Sequence, residues 1–556
     1  MTAEIKAERT QRHRAPLLWL VVPYLVGASL RRLGGEWPFP HAAATGAVAA
    51  AIGLMAAFGR SRTLHVLWAC GMAGAAGLIG MLYPARRPIE GAIKPHRASV
   101  IVRVARMGAP HPLDERVVSA RFGVRANTWL ASGFGTLSSN EEPIYFSLHL
   151  AGGAPLPIRG DEIQLQGTLK PVPRRGGPDS FNGYLRGSGI QRELSPAYLV
   201  AIRRAASAYA RWREGLADRM MDLLAVGFDS DPDLGAIYRA MMLGRKEGLS
   251  AAQKQLFVRT GTMHLFAING LHIGIVALSL HALLALLRTP RPVAAPLVLG
   301  ALWLDVDSTG ASPSAVRAFL MVGAVELASA IGLPMNPLAA ITAAGATMLA
   351  VAPGAEFGAS FQMSFGVVAV LILLGAPLSR RWSQVWDPYP FLPAATQTLW
   401  QRGHSAVQRH LAAALGFSAA AALVSAVTGV TYFSVWAPVG LLANLVLMPL
   451  ATLVIIAGFT AIVAGVAQAG ALTALFNDAA RLMLHAIVFA LRRFSGLPGG
   501  CVTAHLRADW LGSAALVLLL ASCLRGYEGN WSDERGGWWP PFLVTAGLMI
   551  FGVIYG

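Results

Sequence analysis

The sequence predicts a polytopic α-helical membrane protein of about 11–13 spans, with one small extracytoplasmic β-barrel inserted between spans. Three observations predict this class. Hydrophobic residues fill 54% of 556 positions and charged residues only 13%, against roughly 25% charged in an average soluble domain. Such a chain lacks the charge to cover a soluble surface of its size. Residues 410–477 form a run of 68 without Asp, Glu, Lys or Arg. As helix this is about 100 Å, or about three crossings of a ~30 Å hydrocarbon core. Residues 84–204, in contrast, are charged and alternate apolar with polar positions, the period of strands. A soluble enzyme, a secreted disulfide scaffold and a disordered tail are excluded.

The elements follow in order. Residues 1–83 are read as a three-span membrane segment. Lys6, Arg9, Arg12 and Arg14 precede the uncharged stretch Ala15–Leu30, and charge-free runs at 37–59 and 63–85 follow. The basic leader predicts a cytoplasmic N-terminus and an uncleaved first span. Three crossings then put residues 84–204 outside the cytoplasm. That segment holds 17 basic and 9 acidic residues, net +8. Ser99–Met107, Arg116–Arg125, Pro143–Leu150 and Glu162–Lys170 read as strands, separated by Gly/Pro clusters. About five short strands in this length make a small barrel. Its basic residues lie among aromatics, and Arg121, Arg125 and Trp129 are candidate contacts for single-stranded nucleic acid. The same residues also fit a barrel with a solvated basic face and aromatics in its core.

Residues 205–257 read as amphipathic connecting helices. Residues 258–500 form a second membrane block, and 501–556 add two C-terminal spans. The expected spans are about 264–287, 292–305, 314–332, 336–353, 357–376, 411–430, 436–450, 451–467, 509–524 and 538–555. Arg381–His410 reads as a basic amphipathic loop and Arg481–Arg493 as an interfacial helix.

Polar groups inside the membrane block are few and costly, so they mark water-filled paths or helix contacts. Gly261–Ile275 (GTMHLFAINGLHIGI) carries His264, Asn269 and His272. If it is one helix, these share an arc of about 140° at 3.6 residues per turn. Ser312-Pro313-Ser314 reads as a helix start with Arg317 one turn in, a combination suited to an anion. Arg317 could equally snorkel to headgroups. Gln362 and Ser364 sit in an apolar run, and Asn444 precedes Pro449, a hint of a broken helix. There is no phosphate-binding loop, no metal-ligand spacing and no cofactor motif. Cys70, Cys501 and Cys523 form no disulfide framework. His505 with Asp509 is a weak pair at a membrane edge.

These segments together resemble the ComEC/Rec2 family of competence proteins. The resemblance is carried by Gly261–His272 (GTMHLFAINGLH), approached by Leu243–Ser250 (LGRKEGLS). It continues through Gly310–Met321 (GASPSAVRAFLM), Phe361–Phe365 (FQMSF) and Leu442–Pro449 (LANLVLMP), with Asp179–Ile190 ahead of them. Asn269 stands where the family usually has Ser. The resemblance implies an OB-like barrel and an inner-membrane channel that passes one strand of DNA into the cytoplasm during natural transformation. For such a passage the polar groups themselves suggest a DNA path through His264, Asn269, His272, Ser314, Arg317, Gln362, Ser364 and Asn444, and the absent motifs lead us to expect no catalytic residue, metal or cofactor. Implied partners are single-stranded DNA, membrane lipid, a periplasmic DNA receptor and cytoplasmic translocation or strand-protecting proteins. Many members also carry a metallo-β-lactamase-like domain. No H-x-H-x-D-H run occurs here, so strand degradation is expected from a separate nuclease. Two other readings stay open. One is a secondary carrier of a smaller anion at Arg317, and the other is a membrane hydrolase built on Glu326 and Glu356.

Overall fold

The computed structural model describes residues 94–555 apart from 109–110, 113–127, 140, 152–154, 174–180, 183–184, 186–188, 247, 267, 333–335, 352–357, 393–395, 509 and 532–536, plus residues 21, 24 and 25. The three expected N-terminal spans and the expected strand Arg116–Arg125 lie outside the described residues.

Five long strands form the barrel: β1 (His96–Met107), β2 (Thr128–Leu137), β3 (Pro143–Ala151), β4 (Glu162–Pro171) and β5 (Arg192–Arg204). β1 pairs with β2, β2 with β3 and β5 with β4, all antiparallel. β3 runs parallel to β5, and β4 pairs back onto β1, closing the barrel. This is a five-stranded barrel of the OB type. Alternation sets its core: Val102, Val104, Ile144, Phe146, Leu148, Ile163, Leu165 and Leu194 are buried while their neighbours along each strand turn outward. β2 does not advertise itself by large apolar residues. Its inward positions include Gly133 and Gly135, where a Cβ would overlap the Phe146 ring and the Val102 side chain respectively. β5 carries Pro196 and register shifts, so its apolar period is broken.

Described residues of the connection between β4 and β5 cover part of the outside of β2 and β3. Val172, Leu185 and Ile190 are buried there against Phe134 and Tyr145. At the other end, the Asp161 carboxylate accepts from the backbone N–H of Ile158 and of Ala206, at 2.8 and 2.7 Å. This bond ties the turn before β4 to the exit of β5.

Helices α1 (Ala208–Ala225), α2 (Pro232–Leu243) and α3 (Ala251–Arg259) connect the barrel to the membrane block. Then come α4 (Gly270–Leu286), α5 (Arg291–Ser308), α6 (Pro313–Ala330), α7 (Pro337–Val351), α8 (Ala359–Val385), α9 (Leu399–Phe433), α10 (Gly440–Val466), α11 (Gly470–Ser495), α12 (Trp510–Glu528) and α13 (Trp539–Gly552). Among the described residues, α6 and α8–α12 are long and apolar enough to cross a membrane, and α4, α7 and α13 are shorter apolar helices. The protein is a polytopic membrane protein. One buried core joins α1–α6 with α10 and α11, and a second joins α7–α9 with α12 and α13. The outward faces stay apolar, as at Leu278, Leu286, Leu327, Phe489 and Val517, which suits a hydrocarbon surround. A small sheet of β6 (Val435–Trp436), β7 (Val502–Leu506) and β8 (Val553–Tyr555) binds the second core's ends together.

Four expectations are corrected. The segments 436–450 and 451–467 are one helix of 27 residues that passes through Pro449 without breaking. The loop expected up to His410 is helical from Leu399, started by a Thr398–Gln401 capping box. Arg481–Arg493 belongs to the 26-residue α11, which packs along α10 and has the length and apolarity of a span. The run from His264 is not one helix, for reasons given below.

Candidate functional site

The site begins where α3 stops. Gly261 adopts a left-handed φ of +69°, which costs glycine little, and the chain turns into a short 3-10 turn, Met263–Phe266. α4 starts only at Gly270. Asn269 caps it: its Oδ1 accepts from the N–H of Leu271 and His272 at 3.0 and 3.3 Å. Its Nδ2 donates to the His264 carbonyl at 3.2 Å. The expected single arc of His264, Asn269 and His272 on one helix is therefore not formed. Capping gains more than continuing a helix through Asn-Gly. The Asn269 side chain is spent on holding the break.

α6 seals against that break. Ser312 caps α6 by accepting from Ala315 N–H at 3.3 Å, and the Ser314 hydroxyl donates to the Ile268 carbonyl at 2.8 Å. Arg317, one turn in, is only 1% exposed. Its Nη2 donates to the Ser360 hydroxyl of α8 at 3.2 Å, and its guanidinium lies 5.8 Å from the Phe365 ring centre. Its Nε is buried with no hydrogen-bond partner among the described residues. Arg317 therefore does not snorkel to a headgroup. On α4, His272 is buried and its Nε2 lies 3.9 Å from the Asp305 carboxylate of α5, beyond hydrogen-bond reach, with both atoms unpartnered. Buried polar groups without partners are costly, and three such atoms, Arg317 Nε, His272 Nε2 and Asp305 Oδ2, occur here among the described residues.

The remaining sequence-predicted residues are more dispersed. Gln362 accepts from the Tyr432 hydroxyl of α9 at 2.6 Å, and Ser364 is half-buried on α8. Asn444 of α10 has its Oδ1 buried without a partner among the described residues. Thus the structure links His264, Asn269 and Ser314 through backbone bonds, and Arg317 to α8. Gln362 and Asn444 lie on α8 and α10, apart in sequence from that cluster. In the barrel, Trp129 opens β2 and packs against the core; Arg121 and Arg125 lie outside the described residues. Glu326 is engaged with His281 at 2.7 Å, and Glu356 lies outside the described residues, as does Asp509. Among the described residues no group of three or more His, Cys, Asp or Glu could hold a metal.

Two acidic residues were missed from sequence: Asp305 and Asp307, both on the last turn of α5. Asp307 is 5% exposed and draws three elements together. Arg159, on the turn before β4, pairs with its Oδ1 at 2.8 Å. Tyr209 of α1 donates to its Oδ2 at 3.0 Å, and Arg213 of α1 lies 3.6 Å from the same oxygen. Glu214 bridges onward to Arg245 at 3.3 Å. An Asp within an otherwise apolar helix end was the available signal, since a buried carboxylate needs such partners. The barrel is thereby held at the end of the bundle where α5 finishes and where α4, α6 and Arg317 begin.

A family model described as Competence protein matches residues 241–527, from the end of α2 to the end of α12. The chain belongs to that family. ComE operon protein 3 of Bacillus subtilis (strain 168) is 34% identical over 142 residues, which are 26% of this chain and 18% of that protein. The chain thus aligns with less than a fifth of that relative. No solved structure matches the chain.

Proposed function

We propose that the protein is the inner-membrane channel that carries single-stranded DNA into the cytoplasm during natural transformation. In this reading residues 1–83 form three spans with a cytoplasmic N-terminus, and residues 84–204 face the periplasm. Residues 205–257 connect, 258–500 form the transport core and 501–556 complete it. The protein acts as a transporter and not as an enzyme. A periplasmic receptor delivers DNA, cytoplasmic proteins receive or protect the strand, and a separate nuclease removes its complement.

The observation that supports this most strongly is the Asp307 junction. A basic barrel is fastened to the last turn of α5, the bundle carries a buried arginine and two buried polar atoms without partners among the described residues, and the chain is of the competence family. A strand carries one negative charge per nucleotide, so its route needs polar groups and some positive field without tight trapping. His264, His272 and Arg317 supply these near the starts of α4 and α6, where Asn269 and Ser314 hold the backbone of the route in place. Gln362, Ser364 and Asn444 continue the route. Deleting the gene and following labelled DNA into the cytoplasm tests the reading. Loss of cytoplasmic label with surface binding retained is expected; unchanged internalisation contradicts it.

A further inference from the structure

The outer faces of the barrel are not equivalent. Barrels of this type commonly bind oligonucleotides on the face of their second and third strands. Here the β4–β5 connection occupies that face, with Val172, Leu185 and Ile190 buried against Phe134 and Tyr145. Phe181 stands edge-on to Tyr145 at 5.2 Å. These residues of the chain itself cover part of the usual binding surface.

The face made by β1, β4 and β5 is different. Its side chains are bonded across the three strands, Gln164 donating to Ser99 at 2.9 Å and Arg203 donating to Gln164 at 2.8 Å. These bonds show that one continuous surface exists there. On it Arg97, Arg203 and Arg204 are exposed, and Tyr198 and Val200 are 44% and 53% exposed. Arg103 is exposed too, but Glu162 neutralises it at 2.7 Å. The His149 ring lies 5.5 Å from that of Tyr198. An exposed aromatic flanked by arginines is the combination that holds a single strand without sequence preference, through base stacking and phosphate attraction. From Tyr198 to Arg204 the strand rises about 20 Å at ~3.3 Å per residue. It then runs into α1, beside the Asp161 turn and the Arg159–Asp307 pair.

We propose that single-stranded DNA lies along the β1–β4–β5 face, a base stacked on Tyr198 and phosphates against Arg97, Arg203 and Arg204. The lower end of this track meets the junction with the membrane domain. The assignment rests on the DNA-translocation reading above and specifies the surface the strand uses.

The test is fluorescence anisotropy of a labelled 20-nucleotide oligo-dT with the purified full-length protein in detergent. Tyr198→Ala should weaken binding about 5- to 150-fold, the range for loss of one base stack, and Tyr198→Phe should restore it. Arg97→Ala with Arg204→Ala should lower the slope of log affinity against log salt by roughly 0.7 for each phosphate contact removed. Phe181→Ala, on the covered face, should bind within about twofold of wild type, since it leaves the proposed stack intact. Wild-type affinity in Tyr198→Ala together with loss in Phe181→Ala would overturn the face assignment while leaving DNA binding in place. Unchanged affinity and salt slope in all the variants would overturn it as well. An oligonucleotide that fails to bind wild-type protein even at low salt would overturn the DNA reading itself.

Discussion

At the scale of single residues, Asp307 and His149 govern two separate parts of the protein's stability. Asp307 fastens the barrel to the bundle, because Arg159, Arg213 and Tyr209 all converge on it. Removing one partner of a fully buried pair costs ~3–5 kcal/mol; Arg159 keeps about a third of its exposure, 34%, so Asp307→Ala should fall below that range. Its readout is limited proteolysis between β5 and α1 in purified protein, which should become faster. The reversed pair Arg159→Asp with Asp307→Arg should recover part of the protection, and equal cleavage in all forms would contradict the junction. His149 must stay neutral. Burial lowers its pKa from the ordinary value, and its Nδ1 has no partner among the described residues. The unfolded barrel therefore takes up the proton first as pH falls. The stability of the barrel should be full above about pH 6.5, the ordinary histidine value, and decline below it. Protection factors of β3 amides, corrected for the intrinsic pH dependence of exchange, should fall at pH 5.5 relative to pH 7.5 in wild type and change less in His149→Gln. Equal acid sensitivity in the two would remove His149 from that role.

At the scale of elements, β2 depends on what its glycines omit. Gly133→Val should overlap the Phe146 ring, and overpacking of this kind costs typically 1–3 kcal/mol. Lowered yield of folded protein and faster exchange across β2 and β3 are expected; wild-type stability would show that the core can move aside. The same feature explains what was legible beforehand. β1, β3 and β4 are readable because their inward positions are large and regular: Val102 and Val104, Ile144 to Leu150, Ile163 and Leu165. β2 hides because its partners supply the volume, and β5 hides because Pro196 and its bulges interrupt the alternation. In the bundle, long apolar runs disclose spans, yet they do not disclose where one helix ends. Pro449 is accommodated inside α10, whereas Asn269, followed by Gly270, caps α4 and keeps the helix from extending back toward His264. The difference lies in the cap. Asn269→Ala should cost about 1 kcal/mol of α4 stability and loosen the His264 turn, measurable as increased exchange at Leu271 and His272.

At the scale of the whole molecule, the site was legible as residue types and much less as an arrangement. The sequence marks Ser314 and Arg317 at a helix start, and the structure has them there. It does not mark Asp305 beside His272, nor Asp307 beneath the barrel, because these contacts join segments distant along the chain. The orientation of the whole assembly has its own check. A cysteine introduced at the exposed Ser139 should react with a membrane-impermeant reagent in intact spheroplasts, and protection until lysis would contradict a periplasmic barrel. The account's central claim is that buried polar groups at the starts of α4 and α6 line the path of the strand. Its most direct measurement is cytoplasmic uptake of labelled DNA in a deletion strain carrying His264→Ala, His272→Ala or Arg317→Ala, each confirmed at wild-type level in the membrane. The account predicts reduced uptake in each variant; near-wild-type uptake in all three would contradict it.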